Sequence, residues 1–431
     1  MATTEEKAAT AAREALEEAV PVERKGMGYC AETTIGPVLR FDHIHERGGE
    51  LHGELHVSTA DKPNLLWGSF NLSSMTVRNT TVKFLSEQVP PLDWRDLLNR
   101  FCVGALRLHR EGQTRDHIGG SERVLEMPRM LWAPLIAADQ PTIVFAPGGT
   151  GKSLLAVAAT VAVETGAQTV PGTHATDPAK VLVLDWEDDA RTWDFQLRAV
   201  CAGAGVPVPV VQYQCMRTAL ADRVEEIAAA IAEENIGLVI VDSVEAACGS
   251  GREHEGWNER AQRLMDAVRN LGVAALLLDH VAGTDIGQNT PSNKMIGAVA
   301  KINRARYVFE LRAEKEPTND RIELVLRDTK RNGRGGVPTM SFAACFSDFD
   351  SRGAARNIRY ERCEVQAPEL VSRLSLADQI SRVLRNGAMR APAVAAELDV
   401  KPMSVRMTLN RYKDKRFVKL PGGEWGLSRY E

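Results

Sequence analysis

The sequence predicts an α/β protein: a parallel sheet with crossover helices and a phosphate-binding loop, preceded by a small α+β domain and followed by a winged helix-turn-helix. Three observations carry this expectation. Strand-like and helix-like runs alternate through residues 128–345, the pattern of parallel strands joined by crossover helices. A glycine-rich segment, Ala146-Pro147-Gly148-Gly149-Thr150-Gly151-Lys152-Ser153, lies between strand-like Thr142–Phe145 and helix-like Leu154–Val163. Beyond residue 372, three helix-length runs are followed by a strand, a glycine turn and a strand.

Composition sets the bounds. A chain of 431 residues is long enough for two or three domains. Its 44% apolar and 26% charged residues are those of ordinary globular proteins and exclude a disordered chain. No apolar run has the length of a membrane span, and Met1–Val20 is acidic and Ala-rich rather than signal-like. Seven cysteines, at 30, 102, 201, 215, 248, 345 and 363, form no CxxC pair. An odd number argues against a disulfide framework, so a reducing cytoplasm is the expected setting. The net charge of −4 does not point to nucleic acid; its distribution does.

Residues 1–20 read as a disordered acidic lead and 21–112 as the α+β domain. There, Val38–His45 and Glu50–Ser58 flank Gly48-Gly49, a hairpin turn that sets His45 opposite His52. Ser69–Val77 and Asn79–Phe84 are weaker strand candidates, and Leu92–Leu108 has helical spacing. His43, His45, His52 and His56 share the hairpin, but without cysteines among polar neighbours they read as a solvated strand face rather than a metal site. Residues 113–127, polar with Gly119-Gly120, form a linker. In 128–345 the strands are expected at Thr142–Phe145, Val181–Asp185, Val208–Gln212, Leu238–Asp242, Ala274–Asp279, Tyr307–Leu311 and Ile322–Arg327; several are apolar throughout, as in strands buried on both faces. Residues 346–372 read as a polar, irregular linker.

The last region, 373–431, has helices at Leu376–Leu384, Ala391–Leu398 and Met403–Tyr412, then strands Phe417–Leu420 and Glu424–Leu427 around Pro421-Gly422-Gly423. It holds twelve Lys and Arg against six Asp and Glu. The basic residues gather on the third helix and wing, at Lys401, Arg406, Arg411, Lys413, Lys415, Arg416 and Lys419, the footprint of phosphate-backbone binding. Ser404, Arg406, Asn410, Arg411 and Lys415 are the candidate DNA contacts; a basic face on a protein-docking domain is the alternative.

The glycine-rich segment carries the chemistry. A turn between strand and helix aims backbone N–H groups at a phosphate, and the helix N-terminus adds partial positive charge. Gly148, Gly149, Thr150 and Gly151 form this cradle, Lys152 reaches the β- and γ-phosphates, and the Ser153 hydroxyl binds Mg²⁺. Ala146 replaces the first glycine of GxxxxGK[ST], which leaves the phosphate- and metal-holding half intact. ATP with Mg²⁺ is the expected ligand, and Asp242, closing the run Leu238–Val241, the second metal-supporting group.

Hydrolysis also needs a group that orients water. Ser243 follows Asp242 where the AAA+ pattern has Glu, but Asp185-Trp186-Glu187-Asp188-Asp189 ends the strand after the loop's helix. This resembles the RecA-like ATPases, whose catalytic glutamate lies there in a similar Asp-x-Glu setting. The resemblance assigns the base to Glu187, with Asp185 and Asp188 as the other candidates. His280, after Ala275–Asp279, matches the γ-phosphate sensor position of the RepA and phage helicase branch. Thr329-Lys330-Arg331-Asn332-Gly333 resembles the Lys-x-Arg-Asn-Gly segment with which DnaB-type helicases reach the neighbouring subunit's nucleotide. That makes Arg331 the candidate arginine finger; Thr329 stands where the lysine is expected, with Lys330 beside it. Arg304 and Arg306 rank second.

The resemblance covers about 128–345 and is to the RepA/DnaB-type branch encoded by phages and plasmids. It implies a homo-hexamer with ATP at subunit interfaces, single-stranded DNA in a channel, and replication proteins as candidate partners of the N-terminal domain. Segments 249–258 and 283–294, with Arg252 and Lys294, sit where that branch has DNA-facing loops; plain connections are the alternative. The expected function is an ATP-driven DNA helicase of replicative type. The alternative is a non-translocating RecA-like ATPase acting as an ATP-switched DNA-binding regulator or helicase loader. The pairing and polymerising segments of a recombinase are not recognisable.

Overall fold

The computed structural model describes residues 20–111, 129–250, 255–281 and 298–428, apart from positions 26, 35, 315, 316, 332–336 and 338. It divides into two compact units: Met1–Glu126 with Arg223–Asn235, and Met127–Asp222 with Ile236–Glu431. The acidic lead before Val20 and the linker expected at 113–127 lie outside the described residues. No helix among the described residues is long and apolar enough to cross a membrane.

In the first unit, β1 (Val22–Lys25), β2 (Gly28–Glu32), β3 (Val38–Arg47), β4 (Glu50–Ser58) and β5 (Leu66–Asn71) form an antiparallel sheet in chain order. Alternation decides its faces: Leu51, Gly53, Leu55 and Val57 of β4 are buried while His52, Glu54 and His56 between them stay partly exposed. The buried side meets α1 (Met75–Gln88) and α2 (Trp94–Glu111) in a core of Phe41, Phe70, Leu85, Trp94 and Phe101. Gly48 and Gly49 turn the hairpin with positive φ, and the His45 and His52 rings stack at 5.7 Å.

Helix α1 corrects two expectations, since Ser69–Val77 and Asn79–Phe84 read as weak strands. The chain leaves β5 at Asn71, Ser74 Oγ accepts the Val77 N–H at 3.3 Å, and a helix begins. Thr76, Val77, Thr80, Thr81 and Val82 favour a strand locally. Burying Arg78, Val82 and Leu85 at helical spacing outweighs that preference.

The second unit holds, in chain order, β6 (Met130–Ala133), β7 (Ile136–Ala137), β8 (Pro141–Ala146), α3 (Lys152–Thr165), β9 (His174–Ala175), β10 (Lys180–Asp185), α4 (Ala190–Ala204), β11 (Gln212–Cys215), β12 (Ile236–Asp242), α5 (Trp257–Asn270), β13 (Ala274–His280), α6 (Ala298–Arg304), β14 (Tyr307–Ala313), β15 (Arg321–Arg331), β16 (Met340–Phe349) and β17 (Ala355–Arg362). Strands β6, β7 and β9 make a small sheet; the rest form a nine-stranded sheet ordered β11-β10-β12-β13-β8-β14-β15-β16-β17. The first six in that order run parallel, and β15, β16 and β17 add antiparallel strands. Strands β8, β12 and β13, apolar apart from Thr142 and the polar residues Asp242, Asp279 and His280 at their carboxyl ends, lie inside it, as strands covered on both faces must.

Two expectations fail here. The strand read at Val208–Gln212 lies instead at Gln212–Cys215: Pro207 and Pro209 lack ladder donors, and the polar QYQC segment serves as an edge strand. Residues 346–372, read as irregular, contain the end of β16, all of β17 and the helical turn Pro368–Val371. Their polarity is that of a half-exposed antiparallel ladder. Strand β17 packs on α4, where a Cβ added to Gly203 would lie 2.0 Å from the Ile358 carbonyl oxygen. After β17, Val365 and Leu370 pack on Val325, and the Arg373 guanidinium reaches buried Glu310 at 3.6 Å.

The chain ends in α7 (Leu376–Arg385), β18 (Met389–Arg390), α8 (Ala391–Glu397), α9 (Pro402–Arg411), β19 (Phe417–Lys419) and β20 (Glu424–Leu427). The strands pair antiparallel in the order β18-β20-β19. Ile380, Leu384, Val394, Val405, Leu409, Phe417 and Trp425 form a separate small core.

Candidate nucleotide site

Strands β10, β12, β13 and β8 are successive neighbours in the sheet, so their carboxyl ends bring four chain segments to one edge. Ligands of open α/β sheets bind at such an edge. Ala146 ends β8, and the loop after it holds Gly149 and Gly151 at φ 71° and 89°, conformations that other residues reach only with strain. A Cβ added at Gly148, Gly149 or Gly151 would meet nothing within 4 Å, so the cradle is open. Thr150 Oγ1 donates to the Pro147 carbonyl at 2.8 Å and closes the loop on itself.

Lys152 begins α3 and bends back over this loop. Its ammonium donates to the carbonyls of Ala146 at 3.3 Å and Pro147 at 3.2 Å and to His280 Nδ1 at 3.4 Å. Burial lowers its pKa, which nearby Asp242, Glu187 and Asp279 oppose. Ser153 Oγ donates to Asp242 Oδ2 at 2.6 Å. Burial pushes the Asp242 carboxyl up to about 6 against the Ser153 hydrogen bond, and the neighbouring Asp185 and Glu187 push the same way. A hydroxyl beside a carboxylate in a crowd of negative charge is a hard-oxygen pair suited to Mg²⁺. Ser153 and Asp242 would hold the ion, which supplies charge neutralisation for phosphate oxygens.

At the end of β10 the three candidate carboxylates separate by role. Asp185 is fully buried; its Oδ1 accepts the N–H groups of Glu187 and Asp188 at 2.8 and 3.0 Å, and its Oδ2 accepts the Tyr213 hydroxyl at 3.0 Å. Its hydrogen bonds build the turn. Asp188 Oδ1 accepts the Asp189 N–H at 2.9 Å. Glu187 alone reaches across to the other strand ends: its Oε1 accepts from Ser243 Oγ and lies 3.3 Å from His280 Nε2. Because Lys152 carries donors only, His280 Nδ1 is the acceptor and the Nε2–H points at Glu187. The result is a line Lys152–His280–Glu187–Ser243 across the edge.

Other expected residues fall elsewhere. Lys330 is not at this edge: its ammonium donates to the carbonyls of Ile302, of Asn303 at 3.2 Å and of Ala305 at 2.9 Å, capping the end of α6, where unpaired carbonyls attract a cation. Arg331 pairs through its backbone with Tyr307, and its side chain lies outside the described residues, as do Arg252 and Lys294. Arg304 is bound to Asp266. On α9, Arg406, Asn410 and Arg411 are exposed, as is Lys415 after it, and Ser404 is half-buried. Arg416, counted with the basic face, turns inward to Asp378 at 2.8 Å.

Two contributors had little signal in the sequence. Ser243 entered only as the residue that is not Glu, yet its hydroxyl fixes Glu187. Lys301, in the short helix α6, is fully buried. A lysine among Ala298, Val299, Ala300 and Ile302 was the only trace of it.

No curated protein matches the chain. The departure at Ser243 concerns where the carboxylate stands, since Glu187 approaches from the neighbouring strand, and it leaves the domain type untouched. Residues 109–285, which span the loop, Glu187, Asp242 and His280, match the family model described as an AAA domain, a likeness that supports an ATPase of the AAA/RecA-like kind.

Proposed function

We propose that the protein is a Mg²⁺-dependent ATPase that works as a DNA motor of the replicative helicase type. The observation that carries the reading is the convergence of Lys152, the Ser153–Asp242 pair, Glu187 and His280 at four neighbouring strand ends. Lys152 binds the β- and γ-phosphates, Glu187 orients the attacking water, and His280 reports the γ-phosphate to β13. Arg331 acts on the nucleotide of an adjacent copy in a homo-hexamer, with single-stranded DNA at 249–258 and 283–294. The cytoplasm is the proposed setting.

The end of the chain favours a second reading. Arg406, Arg411, Lys413, Lys415 and Lys419 are exposed and have no ion-pair partner among the described residues, although acidic residues are plentiful elsewhere. We read this fold as a winged helix that binds duplex or forked DNA, with Ser404, Arg406, Asn410, Arg411 and Lys415 at the groove. A regulator or helicase loader would use that face alone. Native mass measurement with ATP and single-stranded DNA, beside a turnover assay, separates the two. A motor forms a ring whose hydrolysis single strands stimulate; a regulator answers only duplex. Mixed oligomers of Arg331→Ala and Glu187→Gln should regain turnover at interfaces that keep both groups, and verified mixtures without recovery would exclude an intersubunit site.

A further inference from the structure

Behind His280 lies an ion pair that the nucleotide chemistry leaves unused. The side chains of Asp279 and Lys301 are both fully buried, and Lys301 Nζ donates to Asp279 Oδ2 at 2.8 Å. The other oxygen, Oδ1, accepts the backbone N–H of His280 at 2.9 Å. One carboxylate therefore joins α6 to the peptide that carries the histidine. Lys301 also faces the Trp257 ring of α5 at 5.1 Å, with the Arg260 guanidinium 4.8 Å from the same ring. Arg260 Nη1 in turn donates to the Gly249 carbonyl at 3.0 Å.

Taking two charges out of water costs several kcal/mol per ion, and well-packed apolar residues often serve stability as well or better. The pair's value is therefore sought in geometry. The His280 imidazole bridges two groups 3.3 and 3.4 Å away, so a small rotation of its peptide would break one bond or the other.

We infer that Lys301 is a positioning residue for ATP hydrolysis, holding the His280 peptide through Asp279 so that the imidazole stays between Lys152 and Glu187. This rests on the ATPase reading above. Displacing a bridging group by about 1 Å costs roughly 10²-fold in rate. Lys301→Met in the full chain should lower turnover by about 10²-fold while a fluorescent ATP analogue binds within about twofold of wild type.

Lys301→Met also strands a buried carboxylate, so two double variants separate positioning from folding. Lys301→Met with Asp279→Asn removes the charge yet keeps an amide oxygen for the His280 N–H, and should regain about tenfold in turnover. Lys301→Met with Asp279→Leu is equally uncharged but offers no acceptor; it should regain thermal stability and not turnover. Equal recovery of turnover in both would reduce the pair to a folding element and overturn the inference. The His280→Ala background isolates the parent reading. There Lys301→Met should add little, and a full additional 10²-fold loss would overturn the positioning role alone. Wild-type turnover in His280→Ala itself would remove the sensor reading and this inference together.

Discussion

The strand-end edge and the α9 face hold similar kinds of side chain and treat them oppositely. At the edge, Lys152, Ser153, Glu187, Asp242, Asp279 and His280 are each bound to another protein group within 3.4 Å. On α9 and after it, Arg406, Arg411, Lys413 and Lys415 extend into solvent without ion-pair partners among the described residues. The first arrangement suits chemistry, in which groups must hold position while charge develops. The second suits recognition of a backbone whose counterions are released on contact. Position matters in one place, and charge in the other.

The largest effect expected of this contrast is at Glu187. Glu187→Gln keeps the shape and the Ser243 contact but not the base, so turnover should fall by about 10³-fold with nucleotide affinity retained. Single-turnover hydrolysis beside a fluorescent-nucleotide titration checks it; unchanged turnover would move the base elsewhere. Next comes Lys152→Ala, which removes charge-assisted bonds to phosphate and should weaken nucleotide binding by about 10²-fold. If binding survived and only turnover fell, the lysine would act in the transition state instead of holding the ground state.

Smaller effects are expected at the other end of the chain. Arg406→Ala and Arg411→Ala should leave hydrolysis without DNA unchanged, while each flattens the log–log salt dependence of duplex binding by about 0.9. Equal slopes for wild type and both variants across a salt series would assign the face to protein docking. Arg416→Ala sharpens the comparison, since this arginine is committed to Asp378 and Ser381. It should lower stability by about 1 kcal/mol or less in thermal denaturation, with the salt slope unchanged.

What the sequence disclosed follows from how local each signal is. The loop at 146–153 and Asp242 after four apolar residues are contiguous, so spacing alone revealed them. Choosing among Asp185, Glu187 and Asp188 required the turn that Asp185 itself builds, because three carboxylates in four residues look alike until one is buried. Strand β11 and helix α1 were misread where local preference opposed context: two prolines inside an apolar run, and β-branched residues on a helix. Lys301 and Lys330 depended on partners 22 and more residues away, which no pattern in their own segments contains. Non-local pairing is what a single sequence reveals least.

The contact between Gly203 and Ile358 bears on the order in which the chain matures during synthesis. By residue 280 a ribosome has made every group of the strand-end edge. Helix α4, which begins three residues after Glu187, still lacks the strand against which it closes, and that strand ends only at Arg362. Growing chains of this length expose the unpaired flank of β8 and the apolar side of α4 until β14 and the antiparallel strands arrive. At roughly 5–20 residues per second, that interval lasts several seconds. A nascent chain stopped at residue 285, where the family match ends, would hold the glycine-rich loop, Glu187, Asp242 and His280 and no finished wall around them.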